Sequence, residues 1–96
     1  MTPPFTIHTT PHYERLVRKL LKGHPELQAL HERVREILAA DPYNRDRRHH
    51  IKKLQGVPQG EGQWRLSLGR WRFRYDIFSQ EVWLFRCALR REDTYR

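Results

Sequence analysis

The feature that most constrains the fold is an alternation of apolar and polar residues over residues 64–77, the segment WRLSLGRWRFRYDI. Side chains of a β-strand point alternately to the two faces of a sheet, so this pattern predicts strands with one buried face. The alternation breaks at Gly69-Arg70, which predicts a two-residue hairpin turn with glycine in the first position. Most of the intervening polar residues are arginine, so the opposite face of the predicted sheet is basic.

Two further strands are predicted at the ends of the chain. Residues 5–9 alternate in the same way and predict a short N-terminal strand. Ser79-Gln80 predicts a second tight turn, and the run Val82-Trp83-Leu84-Phe85 after it is continuously apolar, as in a strand that is buried on both faces. The single cysteine, Cys87, excludes an internal disulfide and is expected to be an inert buried thiol.

Residues 10–42 show the spacing of two amphipathic helices. Thr10-Pro11 predicts an N-cap followed by proline at the first helical position. Gly23-His24-Pro25 separates the two apolar stripes, and Asp41-Pro42 ends the second one. The stripes comprise Tyr13, Leu16, Val17, Leu20 and Leu21 in the first helix, and Leu27, Leu30, Val34, Ile37 and Leu38 in the second.

The predicted fold is therefore an α+β domain that covers residues 1–96. It has an N-terminal strand and an antiparallel helical hairpin, which packs on one face of a mainly antiparallel sheet of three to four strands. Residues 43–62 are polar and rich in basic side chains, glycine and proline, and they are predicted to be irregular.

The charge balance indicates a polyanionic partner. The chain has 19 Lys and Arg against 11 Asp and Glu, a net charge of +8. Residues 42–96 hold 13 basic and 6 acidic side chains, and residues 1–41 hold 6 and 5, so the excess lies in the C-terminal half. No apolar run reaches membrane-spanning length and no signal peptide is evident, so a cytoplasmic protein is expected. The histidines lack metal-ligand spacing, and neither a metal nor another cofactor is expected.

The order of these motifs resembles the RelE/ParE toxin superfamily over nearly the whole chain. The resemblance rests on residues 52–54 before a Gly/Pro loop, on residues 64–77 above all, and on the closing residues 91–96. RelE-type members cut mRNA without metal, usually in the ribosomal A site, whereas ParE-type members bind and poison DNA gyrase. The resemblance implies the toxin of a type II toxin-antitoxin module, with a cognate antitoxin and a hetero-oligomer that binds operator DNA.

The resemblance also implies site residues. Arg72 matches the arginine that contacts the scissile phosphate, and Arg65 falls where RelE-type enzymes have the first of two active-site lysines. Ser67 falls at the second lysine and cannot replace its charge. Arg91 matches the basic residue after the last strand, and Tyr95 matches the tyrosine proposed to transfer a proton. The expected catalytic residues are thus Arg65, Arg72, Arg91 and Tyr95, and RNA binding is expected of Lys52, Lys53, Arg70, Arg74 and Arg90.

The implied reaction is attack of a ribose 2′-OH on the adjacent phosphorus, which leaves a 2′,3′-cyclic phosphate and a 5′-OH. Arginines suit the stabilisation of charge on the phosphoryl oxygens. For proton transfer, His49 or His50 is an alternative to Tyr95, because imidazole exchanges protons near neutral pH. Two other functions stay open: a ParE-like inhibitor of gyrase that is not an enzyme, and a degenerate member that binds only the antitoxin.

Overall fold

The computed structural model describes residues 4–90, which form an α+β domain of two helices and five strands. Their bounds, in chain order, are β1 Thr6–Thr9, α1 Pro11–Leu21, α2 Leu27–Ala40, β2 His50–Lys53, β3 Trp64–Leu68, β4 Trp71–Phe78 and β5 Glu81–Leu89.

The five strands form one mixed sheet in the order β1-β5-β4-β3-β2. β1 runs parallel to β5, and the other neighbouring pairs are antiparallel. The sheet is thus one strand larger than predicted, because His50–Lys53 forms β2 within the segment that was predicted to be irregular. Its sequence shows no clear alternation, and the strand is defined by its backbone pairing with β3 at the edge of the sheet.

Both predicted turns are confirmed. Gly69-Arg70 joins β3 to β4, and Ser79-Gln80 joins β4 to β5. The first residue of each turn has a positive φ, 57° for Gly69 and 56° for Ser79. Such values belong to the tight turns that match the twist of a two-stranded ribbon.

The helices begin and end close to the predicted signals. The Thr10 hydroxyl accepts a hydrogen bond of 3.1 Å from the Tyr13 N–H, so the predicted N-cap of α1 is confirmed. The break between the helices is longer than predicted, because α2 starts only at Leu27. α2 ends at Ala40, and its C-cap Asp41 lies immediately before proline, as predicted.

The hydrophobic core lies between the helices and one face of the sheet, the inner face. Leu66, Phe73, Tyr75 and Leu84 of neighbouring strands are fully buried there. Helical side chains complete this core: Tyr13, Leu27, Val34, Ile37 and Leu38. The other face of the sheet, the outer face, carries the polar members of the alternation in β3 and β4.

A β-bulge in β5 changes which side chains reach each face. Leu84 pairs with Tyr75 but Arg86 pairs with Arg74, so Phe85 is an extra residue. Val82 and Leu84 are buried while Trp83 and Phe85 are only partly buried. The prediction that this run is buried on both faces is therefore wrong, because the core covers only the inner face.

Candidate nucleic-acid interface

Four basic side chains lie side by side across the outer face. β2 pairs with β3, β3 with β4, and β4 with β5 at successive positions of one row, which we call the basic row: Lys52, Arg65, Arg74 and Arg86. Directly opposite residues of antiparallel strands have Cβ atoms roughly 5 Å apart, and like charges at such positions destabilise a sheet. Repulsion between the side chains of the basic row therefore destabilises the sheet, and a bound anion would reduce this repulsion.

The next row along the strands forms the floor of a pocket. It contains His50, Ser67 and Arg72, which face one another across β2, β3 and β4. Together with Lys52 and Arg65 of the basic row, these residues line a cavity of about 570 Å³, which we call the β2–β4 pocket. Its remaining lining residues are His49, Ile51 and Gly69.

The two arginines of this pocket are held differently. Arg72 Nη1 donates to the carbonyl oxygens of Gly69 at 2.7 Å and of Trp71 at 2.9 Å, so the β3–β4 turn fixes its guanidinium. The Nε atom of Arg65 is buried and donates to no acceptor within residues 4–90. A buried donor without a partner costs about 1–3 kcal/mol, more for a charged group.

Asn44 positions the histidine pair at the same pocket. Its side-chain amide donates to the His49 carbonyl at 2.7 Å, and its side-chain oxygen accepts from the His49 N–H at 3.2 Å. His50 follows as the first residue of β2, opposite Ser67. Both candidate histidines therefore line the cavity that contains Arg65 and Arg72.

Arg74 is directed to the loop that precedes β3. Its Nε donates to the Gly62 carbonyl and its Nη2 to the Glu61 carbonyl, each at 3.0 Å. The same loop is held by Asp76, which is fully buried although it belongs to the outer face. The Asp76 carboxylate accepts three backbone N–H bonds, from Gly60, Gly62 and Gln63, at 2.8 to 2.9 Å. These contacts place the loop beside the basic row.

No carboxylate neutralises the basic row within residues 4–90. The close contacts between basic and acidic side chains in this part of the chain both involve histidine, His8 with Glu81 and His24 with Glu26. A surface of this charge attracts polyanions.

The other expected binding residues do not all reach this surface. Lys53 lies on the inner side of the sheet, and its Nζ is 5.7 Å from the centroid of the Trp64 ring. Arg70 is exposed in the β3–β4 turn, and its carbonyl accepts a 2.6 Å bond from the Arg90 N–H. Two of the expected catalytic residues, Arg91 and Tyr95, lie outside the described residues.

Sequence reasoning missed Arg86, although it completes the basic row. In an unbroken alternation Arg86 shares the face of Val82 and Leu84, which is the buried one. The bulge at Phe85 reverses this order, so Arg86 is exposed on the outer face and Cys87 is buried opposite Phe73. No signal in the sequence marks the bulge.

Comparisons with protein-family models, with curated proteins and with solved structures find no match for this chain. None of the helices in residues 4–90 is long and apolar enough to cross a membrane. The same residues contain no group of three or more histidine, cysteine, aspartate or glutamate side chains that could hold a metal ion.

Proposed function

We propose that this protein is the RelE-like toxin of a type II toxin-antitoxin module, a metal-independent endoribonuclease that cuts mRNA in the cytoplasm and so stops translation. The observation that carries the proposal is the β2–β4 pocket, which Arg65 and Arg72 line together with His49 and His50. Such a site suits a phosphate oxygen, because arginine presents several donors and keeps its charge at neutral pH.

The reaction needs no group besides RNA and the protein. The ribose 2′-oxygen attacks the adjacent phosphorus and gives up its proton, while the bond to the 5′-oxygen breaks and that oxygen takes up a proton. Arg65 and Arg72 stabilise the extra negative charge of the pentacoordinate phosphorus. His49, His50 or Tyr95 transfers the protons. The two histidines are supported by their position, because they line the β2–β4 pocket together with Arg65 and Arg72.

Ser67 supports a second candidate, a protein that binds its partner without cutting RNA. It lies between His50 and Arg72 in the pocket floor and adds no charge there. A cognate antitoxin with an acidic segment would fit the same basic surface. A ParE-like inhibitor of gyrase is the third alternative, and a supercoiling assay distinguishes it from both.

The test is to express the protein alone and beside the neighbouring reading frame, and to map RNA ends in a reaction with purified ribosomes. We expect translation-dependent cuts with 2′,3′-cyclic phosphate ends, and rescue of growth by the neighbour. Arg72→Ala should lose toxicity and cleavage. Arg33→Ala is a matched control, because Arg33 is an exposed residue of α2 outside the pocket.

Three results separate the alternatives. If RNA stays intact and Arg72→Ala is as toxic as the wild type, the nuclease mechanism is wrong. Loss of supercoiling with intact RNA would indicate the gyrase inhibitor. Binding of the neighbouring gene product without toxicity in either assay would indicate the binding member.

A further inference from the structure

A second cavity lies on the outer face, at the other side of Arg72. It has a volume of about 360 Å³ and is formed by β4, by β5 after its bulge, and by α1; we call it the α1-side pocket. Its charged lining is Arg72, Arg74 and Arg86, and its apolar lining is Leu16, Cys87 and Ala88.

We propose that the α1-side pocket binds the phosphate of a neighbouring nucleotide, with Arg86 as its main contact. The ligand is then a single RNA strand of several nucleotides that lies across the β-strands along the basic row. This inference rests on the proposed function, since it assigns a direction and a second binding subsite to the substrate.

The geometry of the basic row supports a polynucleotide over a single nucleotide. Its four members occupy four adjacent strands, which are roughly 4.8 Å apart, so the row extends over about 14 Å. That length exceeds the spacing of successive phosphates along a nucleic acid strand. Positive charge over this distance serves a polyanion, whereas one phosphate would use only the β2–β4 pocket.

Arg72 links the two cavities because it lines both of them. Its guanidinium is held at the turn by hydrogen bonds to two carbonyl oxygens. A nucleotide presents a charged phosphate and an apolar base face. The lining of the α1-side pocket includes both arginines and the apolar Leu16, which suits these two parts.

The bulge at Phe85 creates this subsite, because it places Arg86 on the outer face. Without the extra residue, Arg86 would face the core with Leu84, and the basic row would end at Arg74. Bulges often re-aim a side chain next to a functional site. Here the bulge turns a basic residue outward and buries a thiol in its place.

The inference is tested with 2′-O-methyl oligoribonucleotides of one to six residues, which cannot be cut. Their affinity is measured by fluorescence anisotropy over a series of salt concentrations. For the wild type we expect a gain in affinity when the oligomer grows beyond two nucleotides. Arg86→Gln should remove most of this gain and lower the slope of log Kd against log salt by about 0.7, the value for one phosphate of a single strand.

Two controls isolate the role of the charge. Arg86→Lys should keep the wild-type salt slope, and Arg33→Gln should change neither the slope nor the length dependence. If Arg86→Gln behaves like Arg33→Gln while the wild type still cuts RNA, the second subsite is wrong and the nuclease proposal is unaffected. If length-dependent binding requires Arg86 but no RNA is cut, the subsite is supported and the nuclease proposal fails. Absence of any RNA binding by the wild type would overturn both.

Discussion

Replacing Asp76 with asparagine tests whether one buried carboxylate fixes the loop beside the basic row. Asp76 is fully buried and accepts three backbone N–H bonds of 2.8 to 2.9 Å. Hydrogen bonds to a charged group contribute about 1.5–3 kcal/mol each. Asparagine keeps one acceptor oxygen, which can hold two of the donors without the charge, and its NH₂ group faces the third. We therefore expect Asp76→Asn to lower the free energy of unfolding by roughly 2–4 kcal/mol, out of about 5–15 for a domain.

The assay is urea unfolding at neutral pH, followed by tryptophan fluorescence. Asp46→Asn is the matched control, because Asp46 is exposed and its carboxylate accepts no hydrogen bond within residues 4–90. We expect the control to unfold like the wild type. An Asp76→Asn protein whose unfolding midpoint also equals that of the wild type would refute the anchoring role.

Four other substitutions or measurements have definite expected outcomes. Gly62→Ala should lower the free energy of unfolding by about 1–2 kcal/mol in the same urea assay, because Gly62 has φ +84° and the added Cβ would lie 3.1 Å from the Cβ of Arg74. Gly23→Ala is its control and should leave the free energy of unfolding unchanged, because Gly23 lies in open space without a positive φ. Burial raises the pKa of Cys87 to about 12, so iodoacetamide at pH 8 should modify this thiol only as fast as the protein unfolds. Tyr75→Phe removes a buried 2.7 Å bond to a backbone carbonyl and should cost about 1–2 kcal/mol by urea unfolding. Lys52→Gln should raise the unfolding free energy by up to about 1 kcal/mol, because it removes a like charge opposite an arginine, and equal stability would contradict the repulsion.

The elements that the sequence predicted are those with strong periodic patterns. Both helices have an apolar stripe and a clear end signal, and β3 and β4 alternate over most of their length. The sequence did not predict β2, because only Ile51 among its four residues is apolar. A strand of this kind forms through pairing with a neighbouring strand. Pairing partners distant in the chain are not visible in local composition.

The candidate site was predictable on the two strands where the alternation is regular. Arg65 and Arg72 both alternate with buried residues, so both belong to the outer face, and they line one pocket there. RNA binding was expected of both Lys52 and Lys53, but adjacent strand residues point to opposite faces, which separates the two side chains. Arg86 was not predicted for a different reason. The bulge adds one residue to β5, so the residues after it change faces, and nothing in the sequence marks the bulge.

The two faces of the sheet have different roles, stability on the inner face and ligand binding on the outer face, and Asp76 contributes to both. Its inner face holds the buried aromatic and aliphatic residues, whereas the outer face holds charges that repel one another. A substitution of Arg65 or Lys52 should therefore change ligand binding with little loss of stability. Asp76 shares the outer face but is buried beneath the loop that Arg74 also holds. Because the carboxylate fixes this loop at the edge of the basic row, its loss should reduce stability and ligand binding together.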